Sequence, residues 1–374
     1  MRAATANLML LFAAWGFVGC AASAARDGAA PHVSSSAHAP EPEAPLASHP
    51  ARWVVLAPEP GQAPGPNATL NPEPADAGHS TVVLDGPDYF FVERTASGLV
   101  LRTAPLGERA ATSHPLPAVQ CDRSKLAVRG QQMLFACDRL FASADRGKTW
   151  KDTALSLPGL IFDMSITGGR AVVTVGPDWS ALERDVWLLK NEQGTWTAAK
   201  STMPEGSAAF RIRQSADGAR VYAVGGRPNE ASFLLLSTDG GRSFQERPID
   251  ASGVFDGKAR WDVLSLSVTG SDVGVLLRNV ELDCTDGRDC RRGVYLRLGE
   301  NLERKSGVQW EQPGSPVAVG AHLAEGDDSP YLSVSNDWGK TWKVVAIPDR
   351  RRGRVVCGEA GCIIGDSVSR VGWE

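Results

Sequence analysis

Three aspartates recur in one short context and are the first candidates for chemistry. Each stands two residues after a serine, two before a glycine and four before a threonine or serine. A carboxylate so placed could act as a general acid or base or bind a cation. The same residues suit a tight turn, because Asp accepts backbone N–H groups and glycine adopts positive φ. The three segments contain Ser143, Asp145, Gly147, Thr149 and Trp150; Ser237, Asp239, Gly241, Ser243 and Phe244; and Ser335, Asp337, Gly339, Thr341 and Trp342.

The shared pattern, Ser-x-Asp-x-Gly-x-Thr-Trp, resembles the Asp-box of the sialidase-type, or BNR, β-propellers. The resemblance implies that each Asp has a structural role in a turn at the periphery of a blade, away from the central channel. It also implies that the final aromatic residue begins the outgoing strand and packs inward.

Sialidase activity is the sharpest enzymatic hypothesis that the resemblance raises. Sialidases grip a carboxylate with three arginines and use a Tyr nucleophile with a Glu partner and an Asp acid/base. The closest string to their Phe/Tyr-Arg-Ile-Pro motif is Phe210-Arg211-Ile212-Arg213, which lacks the proline and follows the first Asp-box. The chain has four tyrosines, at Tyr89, Tyr222, Tyr295 and Tyr331. No catalytic residue is therefore assigned.

A second glycosidase hypothesis follows xyloglucanase-type Asp-box proteins and needs two carboxylates across a cleft. Asp163 and Asp262, at the starts of extended segments, are the candidates, although both resemble ordinary turn residues. The acidic loop Asp283–Asp289 lacks the spacing of an EF-hand. The sequence predicts no metal site and no cofactor.

Cysteines occur in local couples. Apart from Cys20, the six are Cys121, Cys137, Cys284, Cys290, Cys357 and Cys362. An even number of cysteines predicts disulfides in a chain that is exported, which the N-terminal segment described next indicates. Nearness in sequence favours three short loops, each closed by two neighbouring cysteines.

The N-terminus reads as an export signal. An apolar run from Leu8 to Val18 follows Arg2 and ends in Phe17-Val-Gly-Cys20. That ending resembles the lipobox of bacterial lipoproteins, in which Cys20 would carry the lipid; Phe17 replaces the usual leucine. The resemblance predicts a signal peptide over 1–19 and an outer-membrane anchor. The alternative is an ordinary signal peptide cut near Ala22 or Ala25.

Composition then divides the rest of the chain. Residues 20–51 are rich in Ala, Pro, Ser and His and predict a disordered tether. Residues 52–374 show short apolar runs between turn residues, which predicts an all-β propeller. Weaker copies of the repeat lie near Glu192 and Asn301. The run at 52–57 resembles an outgoing strand that the C-terminal repeat lacks, so we expect it to complete the last blade. Seven four-stranded blades are predicted, with six as the alternative.

These observations predict a non-catalytic envelope or cell-surface lipoprotein whose propeller binds a protein or glycan. A sialidase-like glycoside hydrolase is the alternative. The net charge of −4 and the lack of a basic stripe argue against nucleic acid as a partner. We expect a membrane contact through the lipid, a monomer, and ligand contacts from the Pro-rich loop 58–79 and the insertion 281–293.

Overall fold

A computed structural model describes residues 53–56, 82–95, 98–105, 111–117, 121, 124–178, 182–228, 230–254, 261–279, 293–310, 317–319, 322–326, 331–335, 337–346, 355–358, 361–364 and 369–373. All of these residues belong to the unit His49–Glu374. Within these ranges no helix is long and apolar enough to cross a membrane.

The described residues form seven four-stranded antiparallel sheets, named A to G below. Strand β1 (Trp53–Leu56) belongs to the last of them. Sheet A comprises β2 (Val82–Asp85), β3 (Asp88–Thr95), β4 (Gly98–Pro105) and β5 (Thr112–Pro115). Sheet B comprises β6 (Lys125–Arg129), β7 (Gln132–Ala136), β8 (Leu140–Ser143) and β9 (Lys151–Asp152). Sheet C comprises β10 (Leu160–Thr167), β11 (Arg170–Gly176), β12 (Asp185–Glu192) and β13 (Thr195–Lys200).

Sheet D comprises β14 (Ala208–Gln214), β15 (Val221–Gly226), β16 (Phe233–Ser237) and β17 (Gln245–Arg247). Sheet E comprises β18 (Trp261–Thr269), β19 (Asp272–Asn279), β20 (Gly293–Leu298) and β21 (Arg304–Trp310). Sheet F comprises β22 (Val317–Val319), β23 (His322–Gly326), β24 (Tyr331–Ser335) and β25 (Lys343–Ala346). Sheet G comprises β26 (Val355–Gly358), β27 (Gly361–Ile364), β28 (Ser369–Trp373) and β1.

Strand composition follows strand position within a sheet. All residues of β15 and β16 are buried, and both strands are runs of small, β-branched and large apolar residues. Such continuous runs are typical of strands covered on both faces. The fourth strands β9 and β17 are short, charged and exposed, which protects an edge from pairing with other chains.

Successive sheets contact one another through their first strands. β2 contacts β6, β6 contacts β10, and the series continues through β14, β18, β22 and β26, which in turn contacts β2. β1 pairs antiparallel with β28, with Trp53 opposite Trp373 and Leu56 opposite Arg370. The first and last described strands of the chain therefore share sheet G.

The hydrophobic core lies between consecutive sheets. One cluster joins sheets B and C, with Leu134 and Val173 among its members, and another joins sheets D and E through Tyr222 and Val275. Further clusters join sheets A and B, and sheets C and D. Apolar burial between neighbouring sheets therefore holds sheets A to E together in series.

Two ends of each sheet are distinguished below. The hairpin end is the end where the first strand turns into the second, and the turn from the third strand to the fourth lies there as well. The entry end is the opposite end, where the chain enters the first strand and where the second strand connects to the third.

Candidate functional site

The three box turns, residues 143–150, 237–244 and 335–342, lie at the hairpin ends of sheets B, D and F. In the turn of sheet D, Asp239 Oδ1 accepts the N–H groups of Arg242 and Ser243 at 2.9 and 3.0 Å. The Ser243 hydroxyl donates to Asp239 Oδ2 at 2.6 Å. The Ser237 hydroxyl donates to Asp239 Oδ1 at 2.7 Å and accepts the Gly241 N–H at 2.8 Å. Both carboxylate oxygens thus accept hydrogen bonds from within the turn.

The other two turns repeat this arrangement with threonine in place of Ser243. Thr149 donates its hydroxyl to Asp145 at 2.6 Å, and Thr341 does the same to Asp337. The Thr149 hydroxyl and N–H, together with Ser143, lower the pKa of Asp145 to about 2. A carboxylate held ionised in this way is a poor general acid at neutral pH.

The glycines of two box turns meet the preceding sheet. Gly241 has a φ of +93°, and a Cβ there would lie 2.8 Å from Val172 Cγ1 in β11. Gly147 has a φ of +81° and would meet Leu101 of β4. These positions require glycine both for the backbone conformation and for the close approach of two sheets.

The aromatic residues that end the box turns differ from the expectation of inward packing. Phe244 is buried and Trp150 is half-buried, but Trp342 is 37% exposed. The fourth strands also begin one residue later than expected, at Lys151, Gln245 and Lys343. The Trp342 indole N–H donates to Gly339 O at 3.1 Å, so this ring lies along its own turn.

The weak repeat at Glu192 forms a tighter turn. Glu192 pairs with Thr195 across Gln193 and Gly194, both of which have positive φ. Two central residues with positive φ form the hairpin turn that matches the twist of the flanking strands. In place of the carboxylate network of the box turns, Asn191 Oδ1 accepts the Gly194 N–H at 2.8 Å.

The candidate carboxylates Asp163 and Asp262 are both paired with arginines. Asp163 Oδ2 accepts the Ile212 N–H at 3.0 Å and Arg213 Nη1 at 2.8 Å. Asp163 therefore joins β10 to β14, the first strands of sheets C and D. Asp262 forms an ion pair with Arg278 at 3.2 Å, within sheet E. Part of the string Phe210–Arg213 is thus occupied in holding two sheets together.

Three of the four tyrosines lie inside the packed sheets. Tyr89, Tyr222 and Tyr295 are each 2% exposed. Burial raises the pKa of Tyr222 to about 12, and its hydroxyl donates to Glu300 O at 3.0 Å. Burial also raises the pKa of Tyr295. A nucleophilic tyrosine must reach its substrate, so these three do not suit that role. The side chain of Tyr331 lies outside the described residues.

A cation–aromatic stack lies at the entry ends of sheets C and D. The guanidinium carbon of Arg184 stands 3.7 Å from the centre of the Phe162 ring and 4.9 Å from that of Phe210. Phe162 and Phe210 occupy β-bulges in β10 and β14, at the register shifts between Ile161 and Asp163 and between Ala209 and Ile212. Bulges re-aim side chains at strand ends and are common beside functional sites.

Close approaches of the backbone make room for this stack. A Cβ on Gly176 would lie 3.0 Å from the Phe162 ring and 3.2 Å from Arg184 Cγ, and one on Gly226 would lie 2.8 Å from the Phe210 ring. The Ala209 N–H donates to Arg184 O at 3.0 Å and fixes the loop against β14. Leu182, two residues before Arg184, is 62% exposed. The sequence analysis did not predict this site, because its residues come from three segments that are far apart in the chain: β10, the loop before β12 and β14.

A cavity of about 370 Å³ lies beside the stack, at the entry ends of sheets B and C. Leu140, Leu155, Leu157 and Ile161 provide apolar lining, while Asp138 and the ion pair of Arg139 with Asp152 provide charge. Ile161 lines the cavity and the next residue, Phe162, belongs to the stack. The volume falls within the range of small-ligand sites.

The cysteines are placed in part. The Sγ atoms of Cys121 and Cys137 are bonded, and Cys137 lines the cavity. Cys357 and Cys362 are opposite each other in the β26–β27 pair. Cys20, Cys284 and Cys290 lie outside the described residues, as do the tether, the loop 58–79 and residues 280–292. Among the described residues no three His, Cys, Asp or Glu side chains form a metal-ligating group.

Solved structures of similar shape decide the fold. YCF48 bound to a D1 peptide matches with a TM-score of 0.53 at 12% identity, covering 86% of this chain and 96% of that one. YCF48 from Cyanidioschyzon merolae matches with a TM-score of 0.51 at 12% identity, covering 78% and 95%. The fold is a β-propeller. The all-β propeller prediction is therefore confirmed. No protein-family model and no curated protein matches the chain.

Proposed function

We propose that this protein is a lipid-anchored propeller of the bacterial envelope that binds a partner protein without catalysis. The observation that carries the proposal is the surface at the entry ends of sheets C and D. There, Leu182 is exposed two residues before Arg184, whose guanidinium lies 3.7 Å from the centre of the Phe162 ring and 4.9 Å from that of Phe210. Exposed apolar residues next to arginine and aromatic rings are typical of protein-binding surfaces. The peptide-bound propeller YCF48, similar in fold, supports the same class of ligand.

The paired carboxylates favour binding over glycoside hydrolysis. Asp163 is engaged by Ile212 and Arg213, and Asp262 by Arg278. A glycosidase needs one carboxylic acid that carries a proton near neutral pH and a second carboxylate facing it across the substrate. Arginine beside each of these groups favours the ionised form instead.

A binding selection on the full-length protein in detergent tests the proposal. Random peptides displayed on phage should be enriched, and Leu182→Ser should weaken the selected binders. Trp342→Ser is the matched control, because Trp342 is the other exposed large apolar residue among those described and lies in a box turn. Enrichment of no peptide, or turnover of a fluorogenic sialoside, would overturn the proposal.

The lipid anchor is proposed from the lipobox-like ending at Cys20. Cells expressing the protein should incorporate a labelled fatty acid into it, and Cys20→Ser should abolish the label and release the protein from the membrane fraction. Labelling that persists in Cys20→Ser would contradict the anchor. Fractionation of the wild-type protein with outer-membrane markers tests its location.

We further propose that the Asp-box repeats build one circular propeller of seven blades, with β1 as the outer strand of the last. The seven sheets, the contacts between successive first strands and the pairing of β1 with β28 support this arrangement. Deletion of residues 52–57 should lower the melting temperature by several degrees, since it removes a whole strand.

We also propose that Cys284 and Cys290 form one disulfide and Cys357 and Cys362 another. Mass spectrometry of unreduced peptides tests both bonds.

A further inference from the structure

The outer edge of sheet C carries backbone groups without partners. In the β12–β13 pair, the Ser201 N–H donates to Val186 O at 2.9 Å, which makes these two opposite residues a hydrogen-bonded pair. Hydrogen-bonded pairs alternate with non-bonded ones along an antiparallel ladder. Trp196, Ala198 and Lys200 therefore direct their N–H and C=O groups away from β12. None of these groups forms a hydrogen bond within the part of the chain that the structure describes.

Most outer strands are short or carry residues that block an added strand, whereas β13 does not. β9 and β17 are short and consist largely of charged residues, β5 ends in Pro115, and β21 begins with Arg304 and Lys305. β25 and β1 have four residues each. β13 has six, Thr-Trp-Thr-Ala-Ala-Lys, with a single charge at its end. Threonine and tryptophan favour strands, and neither proline nor an interior charge blocks this edge.

An extended segment already pairs with this edge just beyond β13. Thr202 is the next residue in the outward-facing series, and its N–H donates to Arg242 O at 2.8 Å while its C=O accepts the Phe244 N–H at 2.9 Å. Thr202 and Ser243 thereby form a parallel bridge. That segment belongs to the box turn of sheet D. The edge is thus oriented to receive an extended chain, and β13 itself offers the positions that the box turn leaves unpaired.

The two faces of β13 predict the pattern of such a chain. Trp196 and Ala198 are half-buried and pack against the core between sheets B and C. Thr195, Thr197 and Ala199 alternate with them and are exposed on the opposite face, towards sheet D. A strand added to this edge continues both faces. Its alternate residues should therefore be apolar beside Trp196 and polar beside Thr197.

Two cations stand side by side on the face towards sheet D. Arg170 is opposite Lys190 in the β11–β12 pair, and Lys190 is opposite Thr197 in the β12–β13 pair. Like charges directly opposite each other are unfavourable. Glu192 lies two residues from Lys190 on the same face, but among the described residues neither cation forms an ion pair with a carboxylate. An acidic side chain beside Thr197 would complete this row of charges by electrostatic complementarity.

We propose that an extended segment of a partner protein adds to β13 as a fifth strand of sheet C, with an acidic side chain beside Thr197. Hydrogen bonds to the backbone of Trp196 and Ala198 supply affinity, and the contact of the acidic side chain with Lys190 supplies specificity. The inference rests on the protein-binding function proposed above. It adds a second surface to the one at Leu182 and names how the partner binds there.

Fluorescence anisotropy with the full-length protein in detergent tests the strand addition. The probe is a labelled peptide of about eight residues, capped at both ends, that alternates valine with threonine and has one central glutamate in place of a threonine. Two derivatives are N-methylated at alternate residues, one in each phase. Only one edge of the peptide faces β13, so methylation in one phase should weaken binding by about tenfold or more and in the other by less than about twofold.

The acidic contact is tested with variants of both the peptide and the protein. A peptide with Gln in place of Glu should bind about threefold more weakly, and Lys190→Gln should remove most of that difference. Lys151→Gln is the matched control, because Lys151 is exposed on the outer strand β9, and it should leave the difference unchanged. Higher salt should also reduce the preference for Glu.

Ala198→Pro tests the edge from the protein side. The Ala198 N–H does not bond to β12, so proline should keep the melting temperature within a few degrees of the wild type while it blocks the added strand. Peptide binding should fall by about tenfold or more. The N-methylated peptides test the same edge on the wild-type protein, so a poorly folded proline variant does not weaken the experiment.

Three outcomes would overturn the proposal. They are equal effects of N-methylation in both phases, a preference for Glu that survives Lys190→Gln, and a wild-type dimer in sedimentation velocity that Ala198→Pro dissociates, since the edge would then hold a second copy of the chain. Phage-selected peptides that are weakened by Leu182→Ser but bind Ala198→Pro as tightly as the wild type would reject this inference and leave the protein-binding function intact.

Discussion

The hairpin ends and the entry ends of the sheets use charged residues in contrasting ways. In the box turns, Asp239 receives its hydrogen bonds from residues no more than four positions away along the chain. At the entry ends, Asp163 binds residues 49 and 50 positions away, and Arg184 contacts rings from two sheets. The comparison teaches that the conspicuous acidic motif is satisfied by its own turn, whereas the charged residues at the entry ends depend on partners from other sheets.

The largest effect is expected where a box turn touches the preceding sheet. Gly241→Ala introduces a Cβ at positive φ and within 2.8 Å of Val172, so strain and overpacking add. We expect a loss of about 2–4 kcal/mol in the free energy of unfolding, measured by urea titration. Gly270→Ala is the control, since its φ is +59° with nothing within 4 Å of the added atom. Equal losses would show that the contact between sheets contributes nothing.

A smaller loss of stability is expected when the Asp163 contacts at the entry ends are removed. Asp163→Ala removes the acceptor of Ile212 N and the partner of Arg213, and should cost about 1–3 kcal/mol in urea titration. Asp163→Asn retains an acceptor oxygen and should cost less. If both variants were as stable as the wild type, Asp163 would not clamp the sheets, and a catalytic role for it would need to be reconsidered.

Ionisation of a box-turn carboxylate should make the free energy of unfolding depend on pH. Burial opposes ionisation of Asp239, but hydrogen bonds from Ser243, Ser237 and Arg242 outweigh it and lower the pKa from 3.8 to about 2. A pKa lowered by folding stabilises the protein above the unfolded value, and this contribution is lost as the pH falls towards 2.

The wild type should therefore exceed Asp239→Asn in stability by about 1 kcal/mol above pH ~5, allowing for the exposure of the turn. The gap should close as the pH approaches ~2. Thermal or urea unfolding across that range measures it, and a gap that does not change with pH would exclude a role for ionisation.

The smallest effect on stability is expected at the exposed entry loop. Leu182 is 62% exposed, so Leu182→Ser should change the free energy of unfolding by less than about 0.5 kcal/mol. Differential scanning calorimetry checks this. Together with the weakened peptide binding proposed above, it would separate the side chains that hold the fold from those that meet a ligand. A large loss of stability would show that Leu182 stabilises the fold, as the box-turn residues do.

Sequence reasoning reached the hairpin ends more readily than the entry ends, for a physical reason. The box turns are local, so Ser237, Asp239 and Ser243 contain within a few residues all that their hydrogen bonds need. The alternation of short apolar runs likewise indicated an all-β chain. The exposure of the aromatic residue that ends each box turn was harder to predict. The position of Trp342 depends on the residues around its turn, which the motif does not specify.

The stack could not be found in this way because bulges place its rings. A bulge shifts the register by a residue, and nothing in Phe162 or Phe210 alone marks one. Glycines at the ends of the apolar strands, Gly176 and Gly226, were the one available signal, since each accommodates a ring. Asp163 was noticed as a carboxylate, but its partner Arg213 belongs to another sheet, and sequence spacing does not reveal such a pair.

The pairing of Trp53 with Trp373 has a consequence for the order of events during synthesis. Sheet G takes one strand from the start of the chain and three from its end, so it cannot be completed until residue 373 has emerged. Strand β1, the earliest of the described strands, is synthesised before the strands of the six other sheets and before its partner β28. Sheet G is therefore the last of the seven sheets that synthesis can complete.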